Sequence, residues 1–90
     1  MKTGTELIAE EREKQIKKYN HTAVSDNCFY KDKELLRASM TYLMLALTQS
    51  AEGEQYWPWH PDWLHDEGYI ENLKKAGAFI AAELDRVQLN

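Results

Sequence analysis

Ninety residues, 43% hydrophobic and 29% charged, make one small globular domain spanning 1–90 with a limited core. Eleven Lys/Arg against fifteen Asp/Glu give a net charge of −4, split unevenly: residues 1–49 carry eight basic and seven acidic side chains, residues 50–90 three and eight. That balance excludes the continuous basic surface a duplex nucleic acid demands. The apolar run Leu43–Leu47 is too short for a membrane span and the charged start MKTGTELIAEERE is no secretory signal, so a cytoplasmic protein is expected.

Thr3 and Glu6 have capping-box spacing, which predicts a helix from Thr3–Thr5 to about Tyr19. At 100° per residue Leu7, Ile8, Ile16 and Tyr19 define one face, with Gln15 in its middle and Glu11 and Arg12 on its flanks. Polar side chains on such a stripe must find partners or face a polar cavity. Two readings follow: an interhelical hydrogen-bond network, or Arg12 and Gln15 directed into a ligand pocket.

From Asn20 to Lys33 neither helical nor strand periodicity persists, and the Asn, Asp and Ser content suits an ordered loop pinned by Phe29 and Tyr30. Cys28, the single cysteine, can form no internal disulfide and reads as a small, partly buried hydrophobe. As a nucleophile it would need a base, and His21 is the local candidate.

Asp32 is the expected N-cap of a second helix, Lys33 to about Ser50, with Gly53 as its C-terminal stop. Glu34, Arg37, Thr41 and Thr48 fall within an arc of roughly 60°, and the rest is apolar nearly all round. So much apolar surface in a short chain predicts a homo-oligomer assembled through this helix.

Residues 56–69, YWPWHPDWLHDEGY, hold all three tryptophans and both prolines. A third helix follows from about Tyr69 to Val87, with Ile70, Leu73, Ala76, Gly77, Ile80, Leu84 and Val87 expected on its inner face. Gly77 costs a helix about 1 kcal/mol relative to alanine, so it should answer a packing or ligand-access need. No strand pattern or repeat appears, and the fold class expected is all-α: three helices with an ordered aromatic loop between the second and third.

Catalytic signals are sparse. His60 and His65 are five apart in a proline-containing loop, and with Asp26, Asp62 and Asp66 they lack the spacing of a zinc site. Glu10 and Glu13 have the ExxE spacing of all-α nucleotide pyrophosphatases, but Glu83 and Asp85 fall one residue short of the matching ExxD and Glu34 stands alone. No phosphate-cradling loop or nucleophile elbow is present. What remains is recognition: Trp57, Trp59 and Trp63 offer flat faces for a planar ring, and Arg12, Arg37 or Lys75 a charge for a phosphate. The alternative is that the tryptophans simply close the end of a thin core.

The segments ELIAEEREKQ, KELLRASMTY, WPWHPDW and LKKAGAFIAAELDR, in that order, resemble a family of short phage- and prophage-encoded proteins, mostly uncharacterised. Two loops depart from the family pattern, SDNCFYKDK before the middle helix and LHDEG after the tryptophans. The resemblance implies a phage setting, in a bacterial cytoplasm, and a helical oligomer of the kind that traps nucleotide immune signals. The expectation is therefore a non-enzymatic binder of a nucleotide-like small molecule through Arg12, Gln15, Arg37, Trp57, Trp59 and Trp63, with no cofactor and no metal. A metal-dependent nucleotide pyrophosphatase and an adaptor that inhibits a host protein are the alternatives.

Overall fold

Thr3 and Glu6 start the first helix as their spacing requires. The Thr3 hydroxyl accepts the Glu6 N–H at 3.2 Å and Glu6 Oε1 accepts the Thr3 N–H at 3.4 Å, so two of the four orphan donors of a helix N-terminus are satisfied reciprocally. In the computed structural model, which describes residues 1–19 and 30–88, three helices follow one another: α1 (Gly4–Tyr19), α2 (Glu34–Thr48) and α3 (Tyr69–Gln88). Two short 3₁₀ turns, Ala51–Tyr56 and Pro61–Trp63, lie between α2 and α3. The predictions for Cys28, His21, Phe29 and Asp26 lie outside the described residues, as does the Tyr19 side chain. Among the described residues no helix is long and apolar enough to cross a membrane.

The boundaries of α2 differ from expectation at both ends. Lys33, not Asp32, is the N-cap; it adopts a left-handed conformation (φ 67°) and makes no side-chain cap bond. Asp32 instead donates its backbone N–H to Glu34 Oε1 at 2.8 Å. At the other end Gln49, also left-handed (φ 54°), returns its N–H to the Leu45 carbonyl. Gly53 is no stop: it sits in the first 3₁₀ turn against α2, where a Cβ would lie 2.6 Å from Met44 Cβ and 3.1 Å from the Thr41 carbonyl oxygen.

α3 is the central element, packed on one side against α2 and on another against α1. Its contact with α2 is lined by small residues. Ser39 donates its buried hydroxyl to the Ala76 carbonyl at 2.9 Å, and Ala38, Ala76 and Ala82 are buried nearby with Leu35, Tyr42, Leu45 and Phe79. On the α1 side a Cβ at Gly77 would meet Ile8 Cδ1 at 2.6 Å, so the glycine answers a packing need.

Helix faces are where sequence periodicity misleads. On α3 the predicted inner residues Ile70, Leu73, Ile80, Leu84 and Val87 are exposed, whereas Asn72, Ala76, Ala78, Phe79, Ala82 and Arg86 are buried. On α2 the predicted polar arc is divided: Thr41 is fully buried, Glu34 and Thr48 are half-buried and Arg37 is exposed, the two threonine hydroxyls donating to the carbonyls of Arg37 and Met44. Leu36, Met40, Leu43 and Leu47 face outward instead. Close packing through alanines draws the helices together and leaves the largest aliphatic side chains on the outer surface. On α1 the expected face holds in part: Glu11, Arg12 and Gln15 are buried and Leu7 and Ile8 half-buried, whereas Ile16 is exposed.

Candidate ligand cleft

The proline-broken segment folds back over the core. Trp57 and Trp59 are half-buried and meet edge to face at 5.1 Å; Trp57 stands edge-on to Tyr42, Trp59 lies 5.7 Å from Phe79, and Tyr30 meets Trp59 at 5.4 Å. The turn that aims them is closed by Trp57 Nε1, which donates to the His60 carbonyl at 2.9 Å, and by His60 Nδ1, which accepts the Asp62 N–H at 3.1 Å. Pro58 and Pro61 fix φ on either side of these bonds. Trp63, one turn further on, is 64% exposed.

Between this aromatic layer and the inner face of α1 lies a half-open cleft of about 550 Å³. Its apolar surface comes from Tyr30, Tyr42, Trp57, Trp59, Trp63 and Phe79; Glu11, Lys14 and Gln15 of α1 form one wall, and His65, Glu67, Glu71 and Lys75 complete the rim. Four of the six residues singled out from sequence, Gln15, Trp57, Trp59 and Trp63, are thus brought together.

The two arginines are elsewhere. Arg12 is buried outside the cleft lining and its Nη2 donates to Asp85 Oδ2 at 3.3 Å, tying α1 to the last turns of α3. Arg37 is exposed on α2 and does not line the cleft. The cations that do are Lys14 and Lys75. Lys75 stands 2.9 Å from Glu67 and 5.7 Å from the centre of the Tyr42 ring, and its hydrogen bond holds the Glu67 carboxyl below the usual carboxylate range. Glu71 is paired at 3.0 Å with Lys74, whose pKa that bond raises.

On the α1 wall compensation is thinner. The Glu11 side chain is 9% exposed, and its ion partner is solvent-facing Lys14 at 3.9 Å, beyond hydrogen-bond reach. Gln15, one turn on, is 4% exposed, and its side-chain oxygen is buried with no hydrogen-bond partner. Sequence reasoning marked Glu11 only as a flank of Gln15. Their spacing of four, which stacks them on one helical face, was the available signal.

The carboxylates weighed for metal chemistry do not gather. Glu10 pairs with Lys2, Glu13 with Lys17, Glu83 with Arg86 and Asp85 with Arg12. No group of three His, Cys, Asp or Glu within reach of a common metal ion occurs among the described residues. No protein-family model, curated protein or solved structure matches the chain.

Proposed function

We propose that this chain is a non-enzymatic binder that captures a nucleotide-like small molecule by its planar ring, in the manner of a phage protein that sequesters a signal in the bacterial cytoplasm. One observation carries the reading: an amide oxygen, buried and unpaired, in the wall of an aromatic cleft wide enough for a ring and its sugar. A buried unpaired acceptor costs about 1–3 kcal/mol, a cost that a ligand donor would remove once the Gln15 amide turns its oxygen toward the cleft. Stacking on Trp63 and contact with the edges of Trp59 and Tyr30 supply the remaining affinity. With Arg12 and Arg37 outside the cleft, phosphate contacts fall to Lys14 and Lys75 and are secondary to ring burial.

The test is calorimetry and thermal shift with nucleosides, nucleotides and cyclic nucleotides, followed by denaturation and recovery of the ligand. Return of the ligand intact fits a binder; recovery of a hydrolysed product, or no binding across the panel, defeats the reading.

The oligomer belongs to the same proposal, on a broader surface than helix α2 alone. Leu36 and Leu43 stand three before and four after Ser39, and Leu73 and Ile80 stand three before and four after Ala76. Because Ser39 and Ala76 mark the α2–α3 seam, both apolar stripes border that seam on the side away from Tyr42 and Phe79. With Met40, Leu47, Leu84 and Val87, all eight residues being 39–78% exposed, they make a broad apolar surface of the kind that marks an interaction site. A second copy laid across it completes a four-helix arrangement. Sedimentation at micromolar concentration should give a multiple of 10.5 kDa, and a monomer would rule the assembly out.

A further inference from the structure

We infer that the cleft selects a ring presenting two adjacent N–H donors along one edge, the pattern of guanine, and that Glu11 reads it. The inference rests on the ring-binding reading above and adds the chemistry of the ring.

Glu67 and Glu71 have lysine nitrogens at 2.9 and 3.0 Å, so their charge is already answered within the protein. Glu11 differs. Its side chain is 9% exposed, its ion partner is an exposed ammonium 3.9 Å away, and it lines the cleft beside Gln15, whose side-chain oxygen is unpaired. An ionised carboxylate is acceptor-only and takes two parallel N–H donors best. The α1 wall therefore asks for donors, and more of them than the protein provides.

The common bases answer unequally. Guanine places an N1–H and a 2-amino group side by side, so both can point at the two oxygens of one carboxylate. Adenine sets its amino group beside the N1 lone pair, cytosine sets its own beside the N3 lone pair, and uracil flanks one N–H with two carbonyls. Each of these turns at least one lone pair toward Glu11. A site whose buried polar groups are left unmatched rejects the ligand that leaves them so. The tyrosine, tryptophan and phenylalanine rings accept any of the bases, so the discrimination falls to the edge contact.

Nucleosides without phosphate isolate that edge. Calorimetry on the full chain with guanosine, inosine and adenosine should rank guanosine first, with inosine, which lacks the 2-amino group, weaker by roughly 10- to 100-fold, and adenosine no tighter than inosine. Glu11→Gln substitutes an amide of the same shape, and in that variant the guanosine preference should collapse while the melting temperature holds. Equal affinity for guanosine and inosine in the unmodified protein overturns the inference without any variant, as does a preference that survives E11Q; either leaves a ring site without base selection. Failure of all three nucleosides to bind overturns the ring-binding reading itself.

Discussion

Arg12 reaches across 73 residues of sequence to place its Nη2 3.3 Å from Asp85 Oδ2, and this contact fastens the helix that carries Glu11 and Gln15 to the far end of α3. The arginine is buried and the aspartate half-exposed, so the two partners contribute unequally. Asp85→Asn should cost under about 1 kcal/mol, the range of an ion pair open to solvent. Arg12→Ala also removes a packed aliphatic stem and should cost about 2–3 kcal/mol in a denaturant titration. Near-equal losses in the two variants would mean that the ion pair, not the packing, holds α1.

Trp59 and Trp63 should separate structure from binding. Trp59 packs on Phe79 and on the buried cluster, and Trp59→Ala is expected to destabilise by about 2–4 kcal/mol. Trp63→Ala removes a mostly solvated ring, so unfolding should stay within about 0.5 kcal/mol of the unmodified protein while ring binding weakens at least about tenfold. A Trp63→Ala protein that binds as before would remove the mouth of the cleft from the site.

Two glycines give a graded test of packing. At Gly53 an added Cβ runs into Met44 Cβ and the Thr41 carbonyl, atoms fixed to the α2 backbone, so Gly53→Ala should cost about 1–3 kcal/mol. At Gly77 the obstacle is the Ile8 side chain, Cδ1 at 2.6 Å and Cγ1 at 2.8 Å, rather than backbone, and alanine restores about 1 kcal/mol of helix propensity. Gly77→Ala should therefore be milder, and Ile8→Val in the same chain should offset part of the loss in a double-mutant cycle.

Acid should loosen the entry to α3. Asp66 Oδ1 accepts the Asn72 side-chain amide at 2.9 Å and the Gly68 N–H at 3.2 Å, bonds that hold its carboxyl below the ordinary value of 3.8; Lys75 does the same for Glu67, whose ordinary value is 4.5. Groups depressed on folding give their full stabilisation above those ordinary values and lose it as pH falls through the folded ones. Melting temperature should accordingly decline below about pH 4.5, and Asp66→Asn should flatten the lower part of that decline. A slope unchanged by the substitution would show that the Asp66 carboxyl does not titrate with unfolding.

Much of this architecture is legible in the residues. The Thr3 cap, the three helices and the role of the tryptophan segment as a cover joining α2 and α3 follow from local rules of spacing and backbone preference. So does Gln15, a polar residue centred on an apolar stripe. Which face of α3 turns inward does not follow, because periodicity identifies a stripe of large aliphatic residues without saying whether the chain itself or another molecule covers it. Arg12 and Gln15 share one stripe in sequence; the roughly 60° that separates their side chains around the helix sends one to Asp85 and the other to the cleft.

Phe79 and Ile80 are neighbours on α3, yet one lies in the aromatic cleft and the other on the outer apolar surface. One rigid rod thus carries both surfaces, and a roll of α3 about its axis that tightens the cleft must also re-aim Leu73, Ile80 and Leu84. Under the proposed function, ligand binding and assembly obey reciprocity: whatever factor the ligand adds to the affinity between copies, association adds to the affinity for the ligand. Where that factor exceeds one, a trap built this way would hold its cargo more tightly as its own concentration rose.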